Sequence, residues 1–394
     1  MITDSGTTKT AERRVVMPSV SDVAGEAMGR PGAQIRSTVS VVICAYTEDR
    51  WSLLLQSVAS VQEQGRPPLE IIVCVDHNPA LLERCRLQWA DEADRASAPV
   101  VVIANKYGGR LGSARNSAAE IARGDIVAFL DDDAWADPDW LERLVSPYAT
   151  ESVVAVGGAP IPAFEAARPD WFPPEFDWVF GCAYAGLPEA QAPVGRLIGA
   201  NMSVRRPALT EIGGFHSDNH DDMDMCHRLK HRRPADLVVY EPAARVHHFV
   251  PAVRTTWSYF WRRCFFVNKG KVEAFQQMEG AANRSADLGF VAHALSRGVS
   301  RGMRDAVHGD PWGAARAASI VAGVTLAGSG TVAGMWHGRR TGARRPQPGR
   351  RARAARRGAP PVGGRAIDTP VDSPSGAEQD HRGKAGRQAW SQTQ

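Results

Sequence analysis

Between Val39 and Val156 the chain alternates short, predominantly apolar runs with longer stretches of helical spacing. Val39 to Ala45, Leu69 to Val75, Val100 to Ala104, Ile126 to Leu130 and Val153 to Val156 have the length and β-branched content of buried strands. Trp51 to Val61, Leu81 to Trp89, Gly112 to Arg123 and Pro138 to Tyr148 repeat apolar positions at the helical period. Strands that are apolar throughout and separated by helices predict an α/β fold: a mostly parallel central sheet with helices on both faces. In such sheets ligands bind outside the carboxyl ends of the strands. Tyr46-Thr47-Glu48-Asp49, Asp76-His77-Asn78 and Asp131-Asp132-Asp133 all fall at such ends. The pattern predicts one rim on which polar chemistry converges.

The second half is less regular. Ile198 to Ser203 precedes an amphipathic helix near Pro207 to Ile212, which Gly213-Gly214 terminates. A further helix would carry Asp221 and Asp222 in its first turn. Leu237 to Tyr240 reads as a strand, Glu241-Pro242 as a turn, and His247-His248 as part of the following loop. The segment Trp171 to Trp178, rich in aromatic residues, is either an aromatic wall for a ligand or a packed core loop.

Composition limits this picture. At 394 residues and 43% apolar, the chain has room for one large or two ordinary domains with a real core. Net charge is only +4, but His337 to Arg365 is rich in Arg, Gly, Pro and Ala with no acid at all. Residues 1–36 are likewise polar and patternless, and both ends read as disordered. The expected organisation is a disordered segment 1–36, a main domain 37–270 with halves 37–150 and 151–270, a helical extension 271–336 and a disordered Arg-rich tail 337–394. A nucleic-acid partner is not expected. Met1-Ile2-Thr3-Asp4 leads into no apolar core of a signal peptide. The six cysteines lie far apart without CxxC spacing, so neither a disulfide framework nor a zinc site is indicated. The expected compartment is the reducing cytoplasm.

The candidate chemistry begins with the acidic triplet. Like charges delivered together at a strand's end repel, which costs free energy unless a cation offsets it. Hard oxygen ligands around a divalent ion would do so, and Mg²⁺ typically completes its shell with substrate phosphates. The other reading is a solvated acidic turn capping the next helix. Asp76 could accept hydrogen bonds from a base or ribose, or simply be a turn residue before Asn78-Pro79. Lys106 to Asn116, reading KYGGRLGSARN, opens a helix whose N–H groups, with Lys106, Arg110 or Arg115 beside them, suit a diphosphate. It has no GxxxxGK[ST] pattern, so it is not a P-loop. Asp221 and Asp222 could cap their helix, or one could be a general base for an acceptor hydroxyl. An adjacent His pair is either a source of a metal ligand or surface decoration.

Taken together and in order, VSVVICAYTEDRW, IIVCVDHNP, GSARNSA, VAFLDDDAWADPDWL, IGANMSVRR, DDMDMCHRL and VHHFVPAVRTTW resemble a family 2 glycosyltransferase. The match runs from about Val39 to Gly270. The resemblance implies a GT-A-like fold, with a Rossmann-like nucleotide-sugar-binding half at 37–150 and an acceptor half at 151–270. It implies that Tyr46, Glu48 and Asp76 hold the donor's nucleoside and that Arg115 lies near its phosphates. Asp131 and Asp133 match the D-x-D pair that binds Mn²⁺ or Mg²⁺, with Asp132 meeting the ribose or orienting its neighbours. Asp222 looks like the general base of an inverting transfer, and His248, within H-x-V-P, like a further metal ligand. Two departures stand out. Asp221 replaces the usual glutamate before that base, one methylene shorter, leaving both aspartates as candidates. The Q-x-x-R-W motif of processive members is missing, so transfer of one sugar to a hydroxyl acceptor is expected rather than chain synthesis.

Ala317 to Trp336 contains no charged residue and is about long enough to cross a bilayer, though Ala, Gly, Ser and Thr dominate it. A single crossing would put the Arg-rich tail opposite a cytosolic domain, against the positive-inside tendency. Interfacial or re-entrant attachment at the inner face of the cell membrane, or a soluble helix packed on the domain, are the expectations. The rival functions are a sugar-nucleotidyltransferase, which would want a Gly-rich basic signature after the first strand, and an inactive binding protein of the same fold.

Overall fold

The computed structural model describes residues 37–92, 97–216, 220–276 and 284–340. The expectations for residues 1–36 and for the tail beyond 340 lie outside the described residues. Nine strands form one sheet: β1 (Val39–Ala45), β2 (Glu70–Val75), β3 (Val100–Ala104), β4 (Ile126–Asp131), β5 (Ala134–Ala136), β6 (Val153–Phe164), β7 (Ala192–Pro193), β8 (Asn201–Arg205) and β9 (Leu237–Val250). Their order is β3-β2-β1-β4-β8-β6-β9-β5, with β7 also on β9.

The first half follows from its pattern. β1 pairs in parallel with both β2 and β4, and β2 in parallel with β3. Val39, Val41, Ile43 and Ala45 of β1 enter one core cluster, while Val42 enters another on the opposite face. Side chains alternate along a strand, so a strand apolar at every position needs a core on both sides. Helices α1 (Trp51–Gln62), α2 (Pro79–Gln88) and α3 (Leu111–Ile121) make these connections. Asn78 caps α2 by accepting from the Leu81 N–H, with Pro79 at the first helical position. Helix α4 (Trp140–Val145) follows β5 and buries Trp140, whose indole N–H donates to Asn201 at 2.8 Å.

The second half joins differently. β8 runs antiparallel to β4 and β6, while β9 is parallel to β6 and antiparallel to β5 and β7. Two strands are longer than the pattern predicts. β6 continues past Val156 to Phe164, and β9 continues through the expected Glu241-Pro242 turn to Val250. The register between them breaks from Gly157↔Tyr240 to Ala159↔Arg245, so Pro242 sits in the irregularity, where a missing N–H removes no ladder bond. Gly158 lies opposite, and a Cβ there would be 2.1 Å from the Ala244 carbonyl oxygen. As a result His247 and His248 belong to a strand, not to the loop expected for them.

After α5 (Arg206–Glu211) and α6 (Asp221–Arg232), the chain forms a helical extension: α7 (Trp257–Gln276), α8 (Arg284–His293), α9 (Val299–Val307) and α10 (Gly313–Arg340). Its core is the aromatic segment of the main sheet domain. Phe172, Phe176 and Phe180 pack with Phe260, Cys264 and Ile320. Phe176 is fully buried and lies 5.3 Å from the Phe260 ring. The Trp171–Trp178 segment is thus a packed core loop. Helix α10 approaches α7 through glycines: a Cβ on Gly330 would sit 2.1 Å from the Phe265 carbonyl oxygen.

Candidate active site

Strand β4 ends at Asp131, which pairs with Cys44 of β1. The chain then turns through Asp132 and Asp133 into β5, where Ala134 pairs with His248 of β9. Ligand atoms of Asp131, Asp133 and His248 therefore come within 4.8 Å of one another. His248 Nε2 is 3.1 Å from Asp133 Oδ1 but not in hydrogen-bonding line with it, and that buried oxygen has no hydrogen-bond partner among the described residues. Its neighbour on the strand points elsewhere: His247 stacks on Trp135 and meets Asp137 at 2.9 Å. The period of two on β9 separates the two histidines.

Arg50, just before α1, lies along the other edge of the triplet. Its Nη1 is 2.8 Å from Asp132 Oδ1 and 3.0 Å from Asp133 Oδ2. Behind His248, the Cys182 sulfur lies 3.5 Å from Nδ1. Burial raises the Asp132 carboxyl, with Asp133 adding to it against Arg50, to about 7. Burial alone would raise Asp133 too, but His248 and Arg50 outweigh it and hold it well below the usual range. Two carboxylates and an imidazole, one with an orphaned buried oxygen, are a donor set that fits Mn²⁺ or Mg²⁺.

The second group of carboxylates stands at the start of α6. Asp222 Oδ2 accepts from the Gly199 N–H at 3.0 Å and Oδ1 from the Met223 N–H at 2.7 Å. Burial and the Asp221 charge push Asp222 up to about 6 despite Arg115 and these donors. Asp221 instead accepts from Arg115 Nη1 at 2.8 Å. The other terminal nitrogen of Arg115 donates to Asp131 Oδ1 at 3.1 Å and to the Gly199 carbonyl at 2.9 Å. Arg115 is only 2% exposed, so the guanidinium expected near donor phosphates is occupied between the two carboxylate groups.

The remaining expected residues line the same carboxyl edge. Asp76, buried at the end of β2, accepts from Asn105 Nδ2 at 2.6 Å, and His77 Nδ1 lies 2.7 Å from the same oxygen. Tyr46, after β1, has the Arg50 guanidinium 5.5 Å from its ring centre. Glu48 is exposed, 3.6 Å from Arg84. Lys106 pairs with Glu120 on α3 instead of facing the rim. The sequence reading missed Arg50, Asn105, Cys182 and Gly199. Arg50 lay inside a quoted motif; Cys182 carried no signal, because it meets His248 from 66 residues away.

A family model described as Glycosyl transferase family 2 matches residues 40–213. The glucosyl-dolichyl phosphate glucuronosyltransferase of Haloferax volcanii is 34% identical over 243 residues, spanning 59% of this chain and 76% of that protein. The succinoglycan biosynthesis protein ExoM of Rhizobium meliloti is 24% identical over 273 residues, spanning 65% of this chain and 83% of its own. A solved mannosyltransferase from Pyrobaculum calidifontis, in complex with GDP-Man and Mn²⁺, superposes with a TM-score of 0.49 at 17% identity, covering 77% of this chain and 92% of that one. The chain belongs to glycosyl transferase family 2. Glycosyl transfer is its chemistry, and the Asp131-Asp133-His248 cluster is consistent with a divalent metal.

Proposed function

We propose that the chain transfers one sugar from a UDP-sugar to a hydroxyl acceptor, with inversion and with Mn²⁺ or Mg²⁺ at Asp131, Asp133 and His248. The observation that carries this reading is the convergence of Asp131, Asp133 and His248 within 4.8 Å, on the same rim as the raised carboxyl of Asp222. Tyr46, Glu48 and Asp76 bind the nucleoside at the ends of β1 and β2. Asp132, held by Arg50, orients its neighbours. A bound divalent ion supplies positive charge to the departing diphosphate. Asp222 takes the proton of the attacking hydroxyl, a contribution of roughly 10²–10⁴-fold. One displacement on the face opposite the diphosphate inverts the sugar. Phe260-Trp261-Arg262-Arg263-Cys264 does not match the processive motif, which supports transfer of a single sugar. A nucleotidyltransferase is disfavoured, because a short helical turn, Glu48–Arg50, occupies the place of its Gly-rich loop.

For the acceptor we favour a lipid-linked or cell-envelope glycan, met at the inner face of the membrane. The name of the Haloferax relative specifies a lipid-linked substrate for that protein. In this chain, Gly313–His337 is apolar and long enough to span a bilayer, and most of it is not buried within the protein. Its close packing on α7 supports attachment along the surface instead. The test is a panel of UDP-sugars with the purified chain, with Mn²⁺ or EDTA, followed by the anomeric configuration of the product by NMR. Full turnover in EDTA, or in Asp133→Ala with normal kinetics, sinks the metal assignment; a retained anomer sinks the displacement.

A further inference from the structure

Resting on that reading, we propose that Arg115 is a positioning residue that couples the metal site to the acceptor-side carboxylates. Its three acceptors come from three separate segments: Asp131 at the end of β4, Gly199 in the loop before β8, and Asp221 at the start of α6. Both terminal nitrogens are committed, and the guanidinium lies beside the edge-to-face pair of Phe129 and Phe215, 5.8 and 5.7 Å from their ring centres. A guanidinium so buried holds its partners more tightly than it would in water. Its planar fork sets two directions at once, which a lysine ammonium cannot reproduce.

The same Gly199 peptide that accepts from Arg115 donates its N–H to Asp222. One guanidinium and one peptide therefore join Asp131 to both aspartates of α6. The contact is close: a Cβ on residue 199 would stand 3.3 Å from both Arg115 terminal nitrogens and 3.4 Å from Asp222 Oδ2. The arrangement gives Asp221 its own task. It holds Arg115 away from full engagement with Asp131, leaving that carboxylate available to a metal.

The experiment is Mn²⁺ titration calorimetry on the full chain, for wild type, Asp221→Asn, Arg115→Lys and the double variant, with thermal melts to confirm folding. With the Asp221 charge removed, Arg115 settles on Asp131 and competes with the ion. Asp221→Asn should weaken Mn²⁺ binding by about 3- to 10-fold, the size of an ordinary coupling between contacting residues. In the Arg115→Lys background the same change should have less than about a twofold effect, because the fork that transmits it is gone. Equal losses in both backgrounds would mean through-space charge alone and would overturn the coupling, as would no loss in the first. Weaker UDP binding by Arg115→Lys in metal-free buffer would return Arg115 to the donor phosphates and also overturn it. Failure of the wild type to bind Mn²⁺ would reject the metal reading and this coupling together, whereas the other outcomes leave the metal reading intact.

Discussion

Asp222 combines two properties seldom found on an exposed helix start: its two oxygens are hydrogen-bonded in place, and its carboxyl is raised to about 6 by burial and by Asp221. A base works only when ionised. Transfer should therefore fall as the pH is lowered through about 6 and level off above it, measured as kcat/KM at saturating metal. Asp222→Asn should lower kcat by roughly 10²–10⁴-fold while donor KM changes little; a flat profile down to pH 5 would exclude Asp222 as the base. The aspartates themselves are legible in the sequence, because each sits directly after a strand-like run or at a helix start. What partners they have is not. Arg50 and Arg115 neutralise opposite ends of the triplet, and no spacing along the chain reveals that both guanidinium groups are packed against it. His248 is separable from His247 only once the strand that carries them alternates its faces.

Elements were readable where local pattern and tertiary environment agree. The strands β1, β2 and β4 are apolar at nearly every position because core clusters cover both faces, so their composition announces them. β9 breaks that rule: Glu241 and Pro242 resemble a turn, and only the irregular register with β6 lets the strand pass through them. Helix α10 is the other case. Its many small residues looked like weak hydrophobic drive, yet the glycines facing α7 permit close backbone approach, while Gly328 on another face meets nothing within 4 Å. Gly330→Ala should push the helices apart and cost about 1–3 kcal/mol. Gly328→Ala should instead stabilise by about 0.5–1 kcal/mol through helix propensity. Calorimetric melting would show shifts of opposite sign; a matching sign would mean that α10 does not dock on α7 as described.

Across the whole molecule, large apolar side chains are distributed unevenly. Most of those exposed lie after residue 250, among them Trp261, Phe266, Val332 and Trp336. Scattered apolar residues on a surface are ordinary, but a concentration on one helical unit calls for a partner. Binding to vesicles containing anionic lipid is the expected behaviour. Trp261→Ser/Phe266→Ser/Trp336→Ser should reduce co-sedimentation roughly tenfold or more, since each side chain contributes about 1.5–3 kcal/mol when buried. A wild-type chain that stays in the supernatant would refute surface attachment.

The shared aromatic core also decides where this enzyme can be cut. Glu175, fully buried in the main domain, pairs with Arg301 of α9, and Phe176 is covered by Phe260 and by Gly323 of α10. A fragment ending at residue 270 would keep every carboxylate of the site yet strand a buried acid and open a row of phenylalanines to water. Such a fragment should aggregate on expression, whereas one spanning 37–340 should remain soluble in mild detergent. The extension should therefore behave as part of one folding unit with the catalytic half, and the two fragments compared side by side test it.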